Sequence, residues 1–449
     1  HDRYLAEFNW GYTGSENFEI GKQFGFFPAF SAGWVISQEP FVMNNIPWMN
    51  YFKIRGSYGE VGNDEIAGER FPYVTLITES DGQYSFGEFG SNTIPGYRIT
   101  RLGTPHLTWE VAKKYDLGFD FTFWNNKITG AFDIFKDERK DIFMKRNYMP
   151  LTTGLQDQVP MANVGRMRSN GFDGNIAFSE KIDQVGFTLR GNITYQNSEV
   201  LDKDEAANEL WYKMEKGFRQ NQTRGLIALG LFENEEDIAS SPRQDFGGRD
   251  VLPGDIKYKD VNGDGVINDD DIVPLGYRTV PGLQYGMGFS VNWNNFDFSV
   301  LFQGAGKRDF FVNGSGVFPF ENSSQGNILQ LMAEGRRWIS REVSGDLSTE
   351  DPNADWPRLT YGRNENNNRN STFWLKNGRY VRLKNVEISY TVPKRTLRQF
   401  HVSSLKIGFI GQNLFTWSSF KWWDPESGQS SGSNYPITKN YSMYLQLNF

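Results

Sequence analysis

The sequence predicts an all-β protein, a transmembrane antiparallel β-barrel, and three observations carry that expectation. The first is the C-terminal segment, where Tyr441, Met443, Leu445, Leu447 and Phe449 share one strand face and Ser442, Tyr444, Gln446 and Asn448 take the other. A strand that closes a chain on an aromatic needs pairing on both sides, and a closed barrel supplies it. The second is composition: only 38% of residues are hydrophobic, yet 16% are aromatic, with 37 Phe, 20 Tyr and 13 Trp, and the mean hydropathy is −0.57. A water-soluble core carries more aliphatic residues, whereas membrane barrels alternate polar with apolar and gather aromatics in belts at the two interfaces. The third is that the alternation recurs along the whole chain. From the last segment alone, a soluble sandwich with an amphipathic final strand stays open.

Taken in order, Tyr4, Ala6, Phe8, Trp10 and Tyr12 form one apolar face, and Phe52, Ile54, Gly56 and Tyr58 the next. Tyr115, Leu117, Phe119, Phe121 and Phe123 alternate with Asp116, Gly118, Asp120 and Thr122. The pattern returns at 128–134, 172–178, 185–195, 283–293 and 296–302, for about 12 strands in all. Between 381 and 390 it slips: Val381 and Leu383 keep one phase and Val386, Ile388 and Tyr390 the other, which predicts a β-bulge or an exit from the bilayer zone. Tight turns are expected at Trp124–Lys127, Lys181–Gln184 and Trp293–Phe296, and long links at 59–108, 144–168, 197–281, 304–370 and 416–439. Short turns facing the periplasm and long loops facing outward are the arrangement of outer-membrane barrels, so Trp124 and Trp293 are expected in the inner aromatic belt. Helical spacing is confined to the loops, at Asp204–Lys216 and Asn327–Ile339, and 363–371 reads as only a polar loop.

No run of about 18 apolar residues exists to cross a bilayer as a helix. A net charge of −7 leaves no basic footprint for nucleic acid, and the absence of cysteine removes disulfides and thiolate metal sites. His1, His106 and His401 lack metal-ligand spacing, and no nucleophile elbow, phosphate loop or dinucleotide fingerprint is present, so an enzyme is not expected. The chain opens on His1, already inside a strand pattern, which reads as the C-terminal piece of something larger. An open sheet in lipid would strand backbone groups at several kcal/mol each, so either further strands precede this segment or the barrel is a smaller one.

One motif carries metal chemistry. Asp260, Asn262 and Asp264 stand at positions 1, 3 and 5 of a twelve-residue loop; Gly265 follows, and Asp271 closes it. This is the spacing with which Ca²⁺ gathers six to eight oxygens. The Val266 carbonyl and Asn268, directly or through water, complete the expected set, within an extracellular loop at 254–276. Asp stands where an EF-hand has Glu, and flanking helices are not evident, so the loop resembles the dockerin type grafted on a barrel loop. An Asx-rich turn without metal is the alternative.

The chain also resembles the C-terminal half of SusC-type TonB-dependent outer-membrane transporters. The resemblance rests on an ordered set of segments: Phe26 to Trp34, Phe52 to Gly59 with Gly62 to Asp64, Leu107 to Glu110, Asn163 to Gly165, Gly254 to Gly276, Tyr380 to Asn385, Gly411 to Phe415 and Asp424 to Glu426. Segment 217–231 departs from the family pattern, with Asn221-Gln-Thr-Arg-Gly225 where a Gly-Pro turn is usual. The resemblance implies the last 12 or so strands of a 22-stranded barrel. It also implies an N-terminal plug and TonB box outside this segment, drive by TonB–ExbB–ExbD, and a SusD-like surface lipoprotein as lid. Import of a large polar ligand, an oligosaccharide or an oligopeptide, across the outer membrane of a Gram-negative bacterium is the expected activity. Trp422, Trp423 and Asp424 on the last outer loop, and Trp211, Tyr212 and Arg219 on the large one, are candidate ligand contacts, against the alternative that loop aromatics pack on neighbouring loops. A passive porin, a soluble calcium-dependent carbohydrate-binding sandwich and a structural barrel subunit are the rival readings.

Overall fold

The structure is a computed structural model describing residues 3–65, 70–79, 83–146, 152, 159–321, 327–397, 402–428 and 430–448. His1, His401 and the terminal Phe449 lie outside the described residues. Twelve strands form one sheet in chain order. They are β1 (Tyr4–Gly14), β2 (Phe24–Val35), β3 (Met49–Asn63), β4 (Glu110–Phe123), β5 (Ile128–Lys145) and β6 (Met161–Ile182). The series continues with β7 (Val185–Asp202), β8 (Leu283–Trp293), β9 (Phe296–Gly306), β10 (Tyr380–Thr391), β11 (Ser404–Ser418) and β12 (Asn440–Asn448). The sheet is open, with β1 and β12 at its two edges. No helix among the described residues is long and apolar enough to cross a membrane.

The described chain divides into two compact units, one of 1–177, 196–208 and 214–220, the other of 178–195, 209–213 and 221–449. In the first, β3 and β4 pair from Asn63↔Glu110 down to Phe52↔Phe121, and β4 and β5 from Val111↔Lys140 to Phe123↔Ile128. Flush pairing keeps the period-2 pattern aligned, so the aromatics share one face: Phe119 lies 6.1 Å from Phe52 and 5.5 Å from Phe132. The opposite face is charged. Arg55 on β3 reaches Asp116 at 3.2 Å and Asp120 at 3.2 Å on β4, and Asp133 at 2.6 Å on β5. The β4–β5 turn forms where expected. Trp124, Asn125 and Asn126 all adopt left-handed φ, a conformation that Asn tolerates best. The Asn50 side chain accepts the Asn125 N–H at 2.7 Å, and Trp124 stacks on Trp48 at 5.2 Å as the start of an aromatic belt.

In the second unit, β7 to β12 pair antiparallel, with Val185↔Trp293 and Trp293↔Phe296 at the short-turn end. Leu283↔Gly306 marks the end from which the 307–379 link departs. Phe296 packs on Tyr390 at 4.6 Å on one face. On the other, Asp297 accepts from Asn292 at 2.6 Å and pairs with Lys406 at 3.0 Å, so the aromatic and polar phases of β9 separate as predicted. The slip on β10 is a bulge. Register shifts between Leu383 and Asn385 against both neighbours, so Leu383 opposes Phe302 while Val386 opposes Val300. Lys384 is the extra residue that returns both apolar runs to one face.

The hydrophobic core of this unit lies in its loops. Leu226, Ile256, Tyr258, Phe310, Phe318, Trp338, Trp356, Trp374 and Phe420 form one buried cluster built from the 221–282, 307–379 and 419–439 links. Two expected helices are not formed. Over 204–216 only Trp211–Lys213 makes a 3₁₀ turn, because the Glu205 carboxylate takes the N–H groups of Glu215 and Lys216 at 2.9 Å each. Over 327–339 the helix is limited to Gln330–Ala333, because the chain turns out at Gly335 so that the Trp338 N–H reaches the Trp356 carbonyl at 3.0 Å.

Candidate functional site

The Asp-rich loop sits on a buried polar clamp. Asp255 is 1% exposed. Its carboxylate meets Arg358 at 2.8 Å and accepts from the side chains of Asn364 at 3.1 Å and Asn367 at 2.8 Å. The Ile256 N–H donates to Asn367 Oδ1 at 2.8 Å, and the Asn366 amide donates to the Ile256 carbonyl at 2.9 Å. Segment 363–371, read from sequence as only a polar loop, is therefore partly interior: Asn364, Asn366 and Asn367 are buried. Side chains carrying donor and acceptor together let a non-sheet backbone bury its amides, and a run of asparagines was the available signal. Gly254, at φ +84°, lies against the Trp338 ring, where a Cβ would come within 2.2 Å.

From this anchor the chain enters the loop at 260–271, and its side chains fold back onto backbone amides. Asp260 accepts from Gly263 at 2.6 Å and Gly265 at 2.9 Å, both glycines at left-handed φ. Asp264 accepts from the Val266 N–H at 2.8 Å and from the Asn262 amide at 2.9 Å. Asn268 caps a 3₁₀ turn over Asp269–Asp271, and Asp271, fully buried, accepts from Val261 at 2.7 Å and Asn268 at 2.9 Å. Lys213 and Arg369 compensate Asp270 and Asp269, the latter at 2.9 Å. Among the described residues no three carboxylate or imidazole groups converge at metal-binding range. The oxygen donors expected from the sequence are nevertheless held within one twelve-residue turn, and each carboxylate keeps lone pairs beyond those its amide bonds use.

The loop aromatics divide. Trp422 lies 5.3 Å from Trp356 and 5.7 Å from Phe420, and Trp423 lies 4.9 Å from Phe420, so both pack against neighbouring loops. Asp424 binds Arg382 at 2.6 Å through both oxygens, Glu426 takes the other guanidinium nitrogen at 2.6 Å, and Arg382 is fully buried. These contacts fasten the last loop to β10. Tyr212 is buried too, its hydroxyl donating to the Asp270 carbonyl at 2.8 Å. Burial, and then the carboxylates of Asp271, Asp270, Asp260 and Asp264, push its pKa up. Trp211, by contrast, is 69% exposed. In the other unit, Arg219 donates to Asn197 at 2.8 Å. The departure at 221–225 has a local role. Asn221 takes left-handed φ, and Gln222 and Thr223 donate to the Leu275 and Tyr277 carbonyls at 2.8 Å, closing the far end of the Asp-rich segment.

Comparison with known proteins places this arrangement. The family described as TonB dependent receptor-like, beta-barrel matches residues 2–414. The TonB-dependent receptor P26 of Formosa agariphila is 26% identical over 453 residues, covering 96% of this chain and 42% of that protein. The TonB-dependent receptor SusC of Bacteroides thetaiotaomicron is 25% identical over 467 residues, covering 100% and 42%. The chain thus spans less than half the length of the curated relatives it matches. A solved structure of the RagAB peptide transporter superposes with a TM-score of 0.75 at 18% identity, over 100% of this chain and 46% of that one. The family match takes in 413 of the 449 residues, and the chain belongs to the TonB-dependent receptor-like β-barrel family.

Proposed function

We propose that this chain forms the C-terminal part of an outer-membrane importer, TonB-dependent, that takes up a large polar ligand together with a SusD-like surface lipoprotein. The observation that carries the reading is the division of β3–β5 and of β9 into an aromatic face and a polar face that carries charge, together with links that hold their own hydrophobic core. A barrel wall needs the first, a hydrated path the second, and an outer ligand or partner surface the third. The relatives named as the TonB-dependent receptor SusC and the RagAB peptide transporter support import, and an oligosaccharide or an oligopeptide is the ligand class proposed here. Energy would come from TonB–ExbB–ExbD through a plug outside this segment.

Within that reading the 254–276 loop holds a structural Ca²⁺, through Asp260, Asn262, Asp264, the Val266 carbonyl, Asn268 and Asp271. Binding would exchange the Asn262–Asp264 side-chain bond for metal–oxygen bonds, and the ion would stiffen the loop against the partner without taking part in chemistry. Among the aromatic sequence candidates Trp211 is the exposed one, and it is the proposed ligand contact.

The test is uptake of labelled oligosaccharide and oligopeptide pools by cells with and without TonB. Loss of uptake of one pool on TonB deletion is expected. Uptake indifferent to TonB identifies a passive porin, and no uptake of either pool identifies a structural subunit.

A further inference from the structure

The aromatic face of β3–β5 does not stay apolar to its loop end. Rising from Phe123 on β4, the same face shows Phe121, Phe119, Leu117, Tyr115, Lys113 and Val111. The residues opposite on β5 are Gly130, Phe132, Ile134, Lys136, Glu138 and Lys140, and on β3 they include Tyr58 beside Tyr115 and Glu60 beside Lys113. Register is unbroken along both pairings over this stretch, so these charged side chains share the face of Phe119 and Phe132. At a rise of about 3.3 Å per residue on a tilted strand, the Tyr115 row stands about 20 Å above Phe123, the Lys113 row about 25 Å and the Lys140 row about 30 Å. The apolar band of an outer-membrane barrel is about 25 Å tall. The belt therefore begins where hydrocarbon gives way to the headgroups of the outer leaflet.

The charges in the belt are unevenly matched. Lys113 pairs with Glu60 at 2.9 Å, and Arg166 bridges Glu138 and Asp202 at 3.1 Å each. Lys136 reaches Glu138 only at 3.8 Å and stands 5.8 Å over the Tyr115 ring. Lys140 makes no ion pair within 4 Å among the described residues and feels the Glu60 and Glu138 carboxylates only at longer range. Two amines are thus left with capacity for an outside anion, directly above a pair of tyrosines whose rings lie 5.0 Å apart. Tyrosine belongs at a membrane–water interface, and lysine stems run along apolar surface while the ammonium reaches for phosphate.

We propose that this outward belt on β3–β6 is a binding site for phosphorylated lipid headgroups of the outer leaflet. Lys136 and Lys140 take phosphate oxygens, and Lys113 and Arg166 complete the positive rim. The site rests on the reading of the aromatic face as lipid-facing. Each lysine near a phosphorylated surface contributes about a fivefold gain, so neutralising three lowers affinity about a hundredfold.

The intact protein in nanodiscs of phosphatidylcholine, with or without diphosphorylated lipid A, provides the test, with native mass spectrometry reading the retained lipid. The wild type should hold lipid A. The triple variant Lys113→Gln, Lys136→Gln, Lys140→Gln should lose it about a hundredfold. Lys114→Gln, at the same depth but on the opposite face, should keep it, and so should the triple arginine variant, which guards against misfolding. Displacement of lipid A by inorganic phosphate would mark a free-anion site and overturn the proposal, as would equal retention by the triple glutamine variant and the wild type. A nitroxide at Leu117 separates the two layers of the argument. A lipid-exposed label with unchanged lipid A retention in the triple variant refutes the site alone, and a water-exposed label refutes the lipid-facing reading beneath it.

Discussion

Asp255→Ala should unlatch the Asp-rich loop while leaving the strands intact. The carboxylate it removes is the shared acceptor for Arg358, Asn364, Asn367 and the Leu252 N–H, the last at 2.9 Å. Removing one partner of a buried ion pair costs about 3–5 kcal/mol, because the other charge stays in a dry site without compensation. At 1.4 kcal/mol per factor of ten, the opening equilibrium of 254–276 should rise from about a hundredfold to a few thousandfold. Hydrogen exchange reads this directly at Ile256, whose N–H is held by the Asn367 side chain, and at Tyr258, whose N–H is held by Gln244 at 2.6 Å. Asp255→Asn keeps the shape but turns an amide donor toward other donors, and should fall between the alanine variant and the wild type. Heat resistance in detergent should not change. Exchange at Ile256 unaltered in Asp255→Ala, or collapse of the strands along with the loop, would refute the reasoning.

Three further outcomes follow from the same geometry. Phe298→Lys should cost about 2–4 kcal/mol of folding stability in lipid and Ser299→Lys little, because they lie on opposite faces of β9; equal penalties in vesicle refolding titrations would reverse the register. Asp264→Ala should weaken Ca²⁺ binding, read by calorimetry, and reduce lipoprotein docking while the barrel stays heat-resistant; unchanged calcium binding would assign the loop to plain Asx-turn geometry. Burial lowers the pKa of Lys376, with Asp355 opposing it only in part. The unfolded chain then holds the proton more readily, so loop stability should rise with pH through the window between the lowered value and the usual one near about 10.4, and the penalty persists in full below it. Lys376→Met should flatten that slope in thermal melts followed by loop tryptophan fluorescence.

The strands were legible because their signal is local. Period-2 alternation survives wherever one face meets lipid and the other water, and even the Lys384 bulge left its mark as a phase slip at Val381–Tyr390. The turn at Trp124–Lys127 was legible for the same reason, since asparagines in left-handed conformation announce themselves over four residues. The loop interior was not. Arg382 meets Asp424 across 42 residues of sequence and Asp255 meets Asn367 across 112, and no window-based pattern encodes such pairs. The two expected helices failed because a group beyond helical spacing outbid local propensity: the Glu205 carboxylate in one, the Trp356 carbonyl in the other. Of the candidate contacts, Tyr212, Trp422 and Trp423 carried the composition of a binding surface yet pack within the protein, since an aromatic beside a hydrogen-bonding group looks alike in both settings. Trp211 kept the exposure that a contact requires.

The loop cluster around Trp338, Trp356 and Trp374 has a consequence for how this chain answers its surroundings. Its tryptophans left water for one another, so its cohesion draws on solvent entropy and weakens under urea as any soluble core does. The strands, once inserted, meet hydrocarbon on one face, and there they are held by backbone bonds that have no alternative partner. Two solvents thus govern one polypeptide. Chaotropes act first on the outer loops, and acyl-chain thickness acts first on the wall. A bacterium that stiffens or thins its outer membrane would retune the β-sheet before it disturbed the loop core.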